Sequence, residues 1–418
     1  MPLHPPLISE TAFVLHRLLA FQQPADAVLA AYFRDHRQLG RQDRAFIADT
    51  AYAVLRRLRT LEHLAGGREP RRLILAWLAR FGGHNLREFS PIAKGDELEW
   101  LKGVKAVDLM VLPEPVRLDL PDWLHARLVP RFGAGLAALA EALNRPAPLD
   151  VRVNVARMSR EAVLANLTAE GLVATPTPYS PWGLRLAGKP ALNRHPLFLE
   201  GVIEVQDEGS QLLALLTGAV RGEMVCDFCA GAGGKTLALG TMMHNRGRLY
   251  AFDISERRLA NLKPRLARSG LSNVHPQRID RETDPRVKRL AGKFDRVLVD
   301  APCSGLGTLR RNPDLKWRQT PESVAELVAR QDAILVAAAR LVKPGGRLVY
   351  ATCSLLEEEN EARVEALLTH QPGFVRIPAQ AALAAQGIGL ECGEYMHLSP
   401  DRQATDGFFA AVLERAGE

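Results

Sequence analysis

From about residue 201 onward, the sequence alternates short runs of Val, Leu, Ile and Phe with amphipathic stretches. Strands are expected at 223–228, 248–253, 274–279, 296–300, 347–352 and 407–413, with helical stretches at 235–244, 256–269 and 322–341. A helix between two strands returns the chain to its starting side, so strands joined in this way lie parallel and helices cover both faces of the sheet. In such a fold a ligand lies at the C-terminal ends of the strands. The motifs described below all fall at such ends.

The chain of 418 residues exceeds one ordinary domain. Residues 1–110 read as helical, with apolar periodicity at 11–33, 43–64 and 71–81 and glycine pairs at 66–67 and 82–83 as punctuation. Arg44, Arg56, Arg57 and Arg59 fall on one of these helices. Most such arginines are expected to be solvated, and RNA contact is the minority reading for each. Residues 111–200 form a small α+β unit, with proline-rich stretches at 111–121 and 144–148, a strand-like run at 148–159 and a helix at 160–170. The third domain is 201–418.

The composition, 47% hydrophobic and 24% charged, is that of a globular protein. The opening residues lack the basic start and apolar run of a signal peptide, and no stretch is apolar for the ~18 residues of a membrane span. Five cysteines without scaffold spacing fit a reducing cytoplasm. The net charge of +7 is unevenly spread: residues 1–100 hold 14 Lys+Arg against 11 Asp+Glu, whereas 221–320 hold 20 against 10. A basic excess around the motifs favours a polyanionic partner, a nucleic acid.

The first motif, DFCAGAGGKT (227–236), follows a strand and opens a helix. It is not a phosphate loop of the Walker type, because Cys229 stands where the first glycine is required. It is not a G-x-G-x-x-G loop either, since Thr236 replaces the third glycine. What remains is a glycine loop for a nucleoside-bearing ligand, approached closely by the backbone and by the N–H groups of a helix. Asp253, 20 residues past Gly233, suits ribose hydroxyls, and Asp280 suits an adenine edge. A lone strand-end aspartate is as readily a helix cap, but Asp253, Asp280 and Asp300 recur in register. Cys226 and Cys229 form a C-x-x-C with no second ligand pair nearby, so no metal is expected and Cys226 reads as core.

Two further strands end in DAPCSG (300–305) and TCS (352–354). A thiol above a ligand crevice is a poor core position, and two in adjacent motifs point to chemistry at Cys303 and Cys353.

These motifs resemble the NOP2/Sun RNA 5-methylcytosine methyltransferases, most nearly the bacterial RsmB-type (Sun, Fmu) branch. The matching stretches are VQDEGSQL (205–212), DFCAGAGGKT, AFDIS (251–255), DAPCSGLGTLRRNPDLKW (300–317), LVKPGGRLVYATCSLLEEEN (341–360) and DGFF (406–409). The resemblance implies a Rossmann-like class I methyltransferase domain preceded by a NusB-like RNA-binding domain. It implies S-adenosylmethionine held by Cys229, Ala230, Gly231, Ala232, Gly233, Gly234 and Lys235, with Asp253, Asp280 and Asp300. It makes Cys353 the nucleophile and gives Cys303 to product release. Where the family usually reads CAAPGGKT, this chain has Gly231 and Ala232 in place of Ala-Pro, which loosens the turn without removing a side-chain contact.

The chemistry accounts for a cysteine. C5 of cytosine is too weak a nucleophile to take a methyl group unaided, and a thiolate added to C6 turns the ring into an enamine. A free thiol has a pKa near 8.5, so its surroundings must favour the thiolate. Asp300 could bond the N3/N4 edge of the base as charge develops. Arg310, Arg311, Lys316 and Trp317 are candidates to hold RNA. The expected partner is RNA, with ribosomal RNA ahead of transfer RNA; no DNA or membrane partner is expected, and the protein is expected to be a monomer. The alternatives are a transfer-RNA or DNA cytosine methyltransferase and a non-catalytic assembly factor, and the second cysteine in TCS argues against the DNA enzyme.

Overall fold

The computed structural model describes residues 3–417. Packing divides the chain into two units. The first holds residues up to Pro146 together with Thr308–Pro321, and the second holds Ala147–Gly307 and Glu322–Glu418. This two-way division falls at Pro146, not at the boundaries expected at 110 and 200. The helices Asp122–Phe132 and Leu136–Leu143 extend the helical unit beyond 110, and the small sheet that follows belongs with the second unit.

The helical unit is built on Ile8, Val14, Leu15, Tyr32, Ile47, Val54, Leu61, Leu73 and Ile74, all fully buried. The periodic stretch 11–33 is two helices, Pro5–Leu18 and Ala25–Asp35. Phe21 takes a left-handed conformation (φ 53°) between them, and Pro24, which lacks an N–H, precedes the second. The stretch 43–64 likewise divides at Arg57 into Arg41–Arg56 and Leu58–Ala65. The helix Pro70–Arg80 opens on Glu69, whose carboxylate accepts from the amides of Arg71 and Arg72.

In the second unit, β1 (Leu149–Val153), β2 (Ala174–Pro176), β3 (Gly183–Leu186) and β4 (Ile203–Val205) form an antiparallel sheet in the order β2-β3-β1-β4. The helix Arg160–Ala169 buries Val163 and Leu167 in the same cluster as Val151 and Val153 of β1.

The large sheet comprises β5 (Met224–Asp227), β6 (Arg248–Asp253), β7 (Val274–Arg278), β8 (Phe294–Asp300), β9 (Val342–Thr352), β10 (Phe374–Ile377), β11 (Met396–Leu398) and β12 (Phe408–Arg415). Its order is β10-β12-β9-β8-β5-β6-β7, with β11 paired to β12. The strands β5 to β9 pair in parallel; β12 runs antiparallel to β9 and β10. Side chains alternate strictly between two cores. Val225, Leu298 and Val349 pack with Leu212 and Leu239 on one side. Cys226, Val297, Val299, Leu348 and Tyr350 pack with Ile334, Leu335 and Ala338 on the other. Cys226 is thus the core residue expected.

The chain runs outward through β5, β6 and β7, then returns to β8 beside β5. This reversal opens a crevice above the C-terminal ends of β5 and β8. Among the described residues, no helix is long and apolar enough to cross a membrane.

Candidate active site

One edge of the large sheet carries Asp227 at the end of β5, Asp253 at the end of β6 and Asp300 at the end of β8, and Cys353 just past β9. The glycine loop leaves β5 and turns into the helix Gly234–Met242 at Gly233, whose φ is 83°. A β-carbon there would lie 2.0 Å from Leu262 Cδ1, so both conformation and space require glycine. The loop is held from several sides. The Gly231 amide donates to Asp253 Oδ2 (2.8 Å), the Ala230 amide to the Phe252 carbonyl (2.9 Å), and Arg265 Nη1 to the Ala232 carbonyl (2.7 Å). Arg265 is itself gripped by buried Glu204 of β4, which also accepts from Arg268. The small sheet thereby braces the loop, and Arg265 fixes the turn in which Gly231 and Ala232 leave out a proline.

Asp253 Oδ1 accepts from the Ser255 amide (2.7 Å), as a cap would, yet each carboxylate oxygen keeps a second lone pair for a hydroxyl donor. Asp227 accepts from the Thr236 hydroxyl (2.6 Å) through Oδ2, while its buried Oδ1 has no partner. Burial, with Asp300 adding to it, pushes the Asp227 carboxyl up to about 7. A ligand bearing hydroxyls and an ammonium would supply the donors these oxygens lack, so the residues fit S-adenosylmethionine. Asp280 stands apart. It lies two residues beyond β7, is mostly exposed and pairs with Arg278 and Arg286.

Lys235 Nζ lies 2.6 Å from Asp300 Oδ2. Burial works to lower the Lys235 ammonium, but Asp300, helped by Asp227 and Cys353, outweighs it and leaves the pKa raised. Lys235 is therefore a fixed cation between the loop and the thiols. Burial pushes the Cys229 thiol well up, which makes it an inert wall of the loop.

The two expected thiols meet. Cys303 Sγ lies 3.4 Å from Cys353 Sγ, and the Cys353 amide donates to Cys303 Sγ at 3.3 Å. The bond to Cys353, followed by burial, drives the Cys303 pKa well above the ordinary thiol value. Either sulfur can be the donor in this contact, so the two thiols can pass a proton between them. The loop after it returns at Gly307, whose amide donates to the Cys353 carbonyl (2.8 Å), and the Gly407 amide donates to the Gly307 carbonyl (2.8 Å). A β-carbon on Gly307 would lie 2.1 Å from the Gly407 carbonyl oxygen, which explains why the GLG and DGFF motifs both need glycine.

Residues 214–414 match the family 16S rRNA methyltransferase RsmB/F, and residues 120–193 match the ferredoxin-like domain of RsmF/B-like methyltransferases. A Synechocystis protein named "Probable ribosomal RNA small subunit methyltransferase B" is 33% identical over 414 residues, covering 90% of this chain and 92% of its own length. The chain belongs to the RsmB/F methyltransferase family. The crystal structure of PH0851 superposes with a TM-score of 0.79 at 26% identity, covering 99% of this chain and 100% of that one. A methyltransferase homologue from Pyrococcus horikoshii gives 0.64 at 28% identity, covering 74% and 100%. The NOP2/Sun resemblance and the Rossmann-like class I fold are thereby borne out, and as an RsmB/F member the protein is an S-adenosylmethionine-dependent RNA methyltransferase.

The RNA contacts expected after DAPCSG need correction. In this RsmB/F protein, residues 308–321 are part of the helical unit. Lys316 is 1% exposed and donates to the Arg56 carbonyl (2.8 Å) and Asn144 Oδ1 (2.9 Å); Trp317 Nε1 donates to the Leu55 carbonyl (2.8 Å). Arg310 is buried too, and its carbonyl accepts from Arg56 (2.8 Å). These side chains seat their segment in a helical core; Arg310 and Lys316 are buried, whereas Arg311 and Trp317 stay half-buried. The helical arginines are engaged as well: Arg57 pairs with Glu141, Arg59 with Asp122, and Arg44 donates to the Leu39 carbonyl. The sequence reading missed Arg265, Glu204 and the buried Glu208, which accepts from the amides of Tyr179 and Ser180. Their partners lie many residues away, so only the motif VQDEGSQL hinted at Glu208.

Proposed function

We propose that the protein methylates C5 of a cytosine in 16S ribosomal RNA through a covalent bond from Cys353 Sγ to C6, broken again with help from Cys303. The observation that carries this reading is the thiol pair, 3.4 Å apart at the ends of two adjacent parallel strands. Bound S-adenosylmethionine supplies an electrophilic methyl group. Cys353 attacks C6 as a thiolate, and the ring electrons it releases make C5 nucleophilic. Asp300, fixed by Lys235, keeps an acceptor for the N3/N4 edge of the base. Asp253 takes the ribose, and Asp280 takes the adenine edge in exchange for Arg278 and Arg286.

After methyl transfer, the proton on C5 leaves to a base, the C6–S bond breaks and the thiolate returns to Cys353. Cys303, held against that sulfur, assists the collapse. The target cytosine must leave its stack to reach both thiols, so a loop substrate should react faster than a stable duplex. The helical unit acts as an RNA clamp, with the half-buried Arg311 and Trp317 as candidate contacts. With ribosomal RNA as substrate, the reaction belongs in the cytoplasm. Bisulfite sequencing of 16S RNA and transfer RNA incubated with the protein and S-adenosylmethionine tests the reading: one protected cytosine in 16S RNA is expected, and protection of transfer RNA alone would replace the substrate.

A further inference from the structure

Each of the two cysteines is followed by a serine, and both serines converge on one carboxylate. Glu359 is fully buried on the short turn Glu357–Glu359 beyond β9. Its Oε1 accepts from the Ser304 amide (2.8 Å) and Gln331 Nε2 (2.9 Å), and its Oε2 accepts from the hydroxyls of Ser304 and Ser354. The two hydroxyls lie 3.2 Å apart. Asn360 adds a second tie, donating to the Ser354 carbonyl (3.1 Å) and accepting from the Thr352 hydroxyl. A buried carboxylate is costly unless every oxygen is satisfied. Here four donors from three separate segments satisfy it, and two of those segments carry the thiols.

We propose that Glu359 is a positioning residue that holds the Cys303 and Cys353 loops in register, so that Cys303 can resolve the adduct formed by Cys353. The inference rests on the covalent reading above. Glu359 touches neither sulfur; it acts through Ser304 and Ser354. Loss of the carboxylate frees the Ser304 loop more than β9, whose backbone stays paired on both sides. Resolution should therefore suffer before attack does.

The test uses the full-length protein with a 16S RNA transcript and compares wild type, Cys303→Ala, Glu359→Ala and Glu359→Gln. Glu359→Ala should lower kcat roughly 10- to 100-fold, as expected for a displaced catalytic group, with KM for donor and RNA nearly unchanged. It should also accumulate methylated RNA–protein adduct on a denaturing gel, as Cys303→Ala does. Glu359→Gln should recover most of the rate, because its oxygen can keep the two N–H donors while both serine hydroxyls rotate to accept from the amide. If adduct and turnover fall together in both Glu359 variants, in step with a lower Tm, Glu359 is structural only and the proposal fails. If Cys303→Ala gives no adduct, the covalent reading fails first. The spacing of the thiols is then read by diamide, which takes up the two thiol hydrogens as the disulfide forms. Slower Cys303–Cys353 linkage in Glu359→Ala, mapped by mass spectrometry, supports positioning, and an unchanged rate overturns it. Should Glu359→Ala not fold, Ser354→Ala removes one strut and should show the same signs more weakly.

Discussion

Asp253, proposed to take the ribose, is a strand-end carboxylate that also acts as a cap. It fixes the donor loop through the Gly231 amide and still has lone pairs to offer. Asp253→Ala should weaken S-adenosylmethionine binding by roughly 1.5–3 kcal/mol, the range for a lost hydrogen bond to a charged group, with the fold retained. Calorimetric affinity equal to wild type would remove Asp253 from the site. Asp227 has a different signature. Burial raises its folded pKa to about 7, whereas an unfolded aspartate titrates near 4. The folded state therefore binds the proton more tightly. The stability this lends is fully present below about pH 4 and is lost as the pH rises through about 7. Asp227→Asn cannot ionise, so it should flatten the fall in stability between pH 5 and 8, a difference on the order of 4 kcal/mol at most. Urea unfolding at the two pH values measures it; equal slopes in wild type and variant would contradict the assignment.

At the scale of the element, the parallel strands were legible because buried β-strands read as short apolar runs with motifs at their ends. The helix Glu256–Ser269 falls where its periodicity predicts. β10 and β11 were not legible: Phe374–Ile377 and Met396–Leu398 are too short to carry a pattern. The segment after DAPCSG misled for a physical reason. Lys and Arg near a nucleic-acid site read as contacts, but an amphipathic side chain can also be drawn into a core when carbonyls await it. Burial pulls the Lys316 ammonium well down, against the attraction of Asp119. Lys316→Ala should cost about 2–4 kcal/mol through a cavity and unpaired carbonyls, yet leave the salt dependence of RNA binding unchanged. A salt slope shallower by about one unit would restore Lys316 to the RNA surface.

For the whole molecule, the chain leaves the helical unit at Pro146 and returns to it for Thr308–Pro321, an arrangement no local pattern announces. A fragment of residues 1–146 should be less stable alone than with a peptide of residues 308–321, since Trp317 and Lys316 complete its core and its carbonyl bonds. A thermal shift on adding the peptide is expected, and no shift would mean the segment is not integral to the unit. The cysteine pair was legible, but its spacing and its staple at Glu359 were not, because they join residues 303 and 353 through folding alone. The central claim is that two thiols divide one covalent reaction, and a denaturing gel with labelled RNA tests it most directly. Cys303→Ala should give a slow-migrating protein–RNA band, whereas Cys353→Ala and the double variant should not. A band with Cys353→Ala alone would reverse the roles, and a band with none of them would contradict the covalent mechanism.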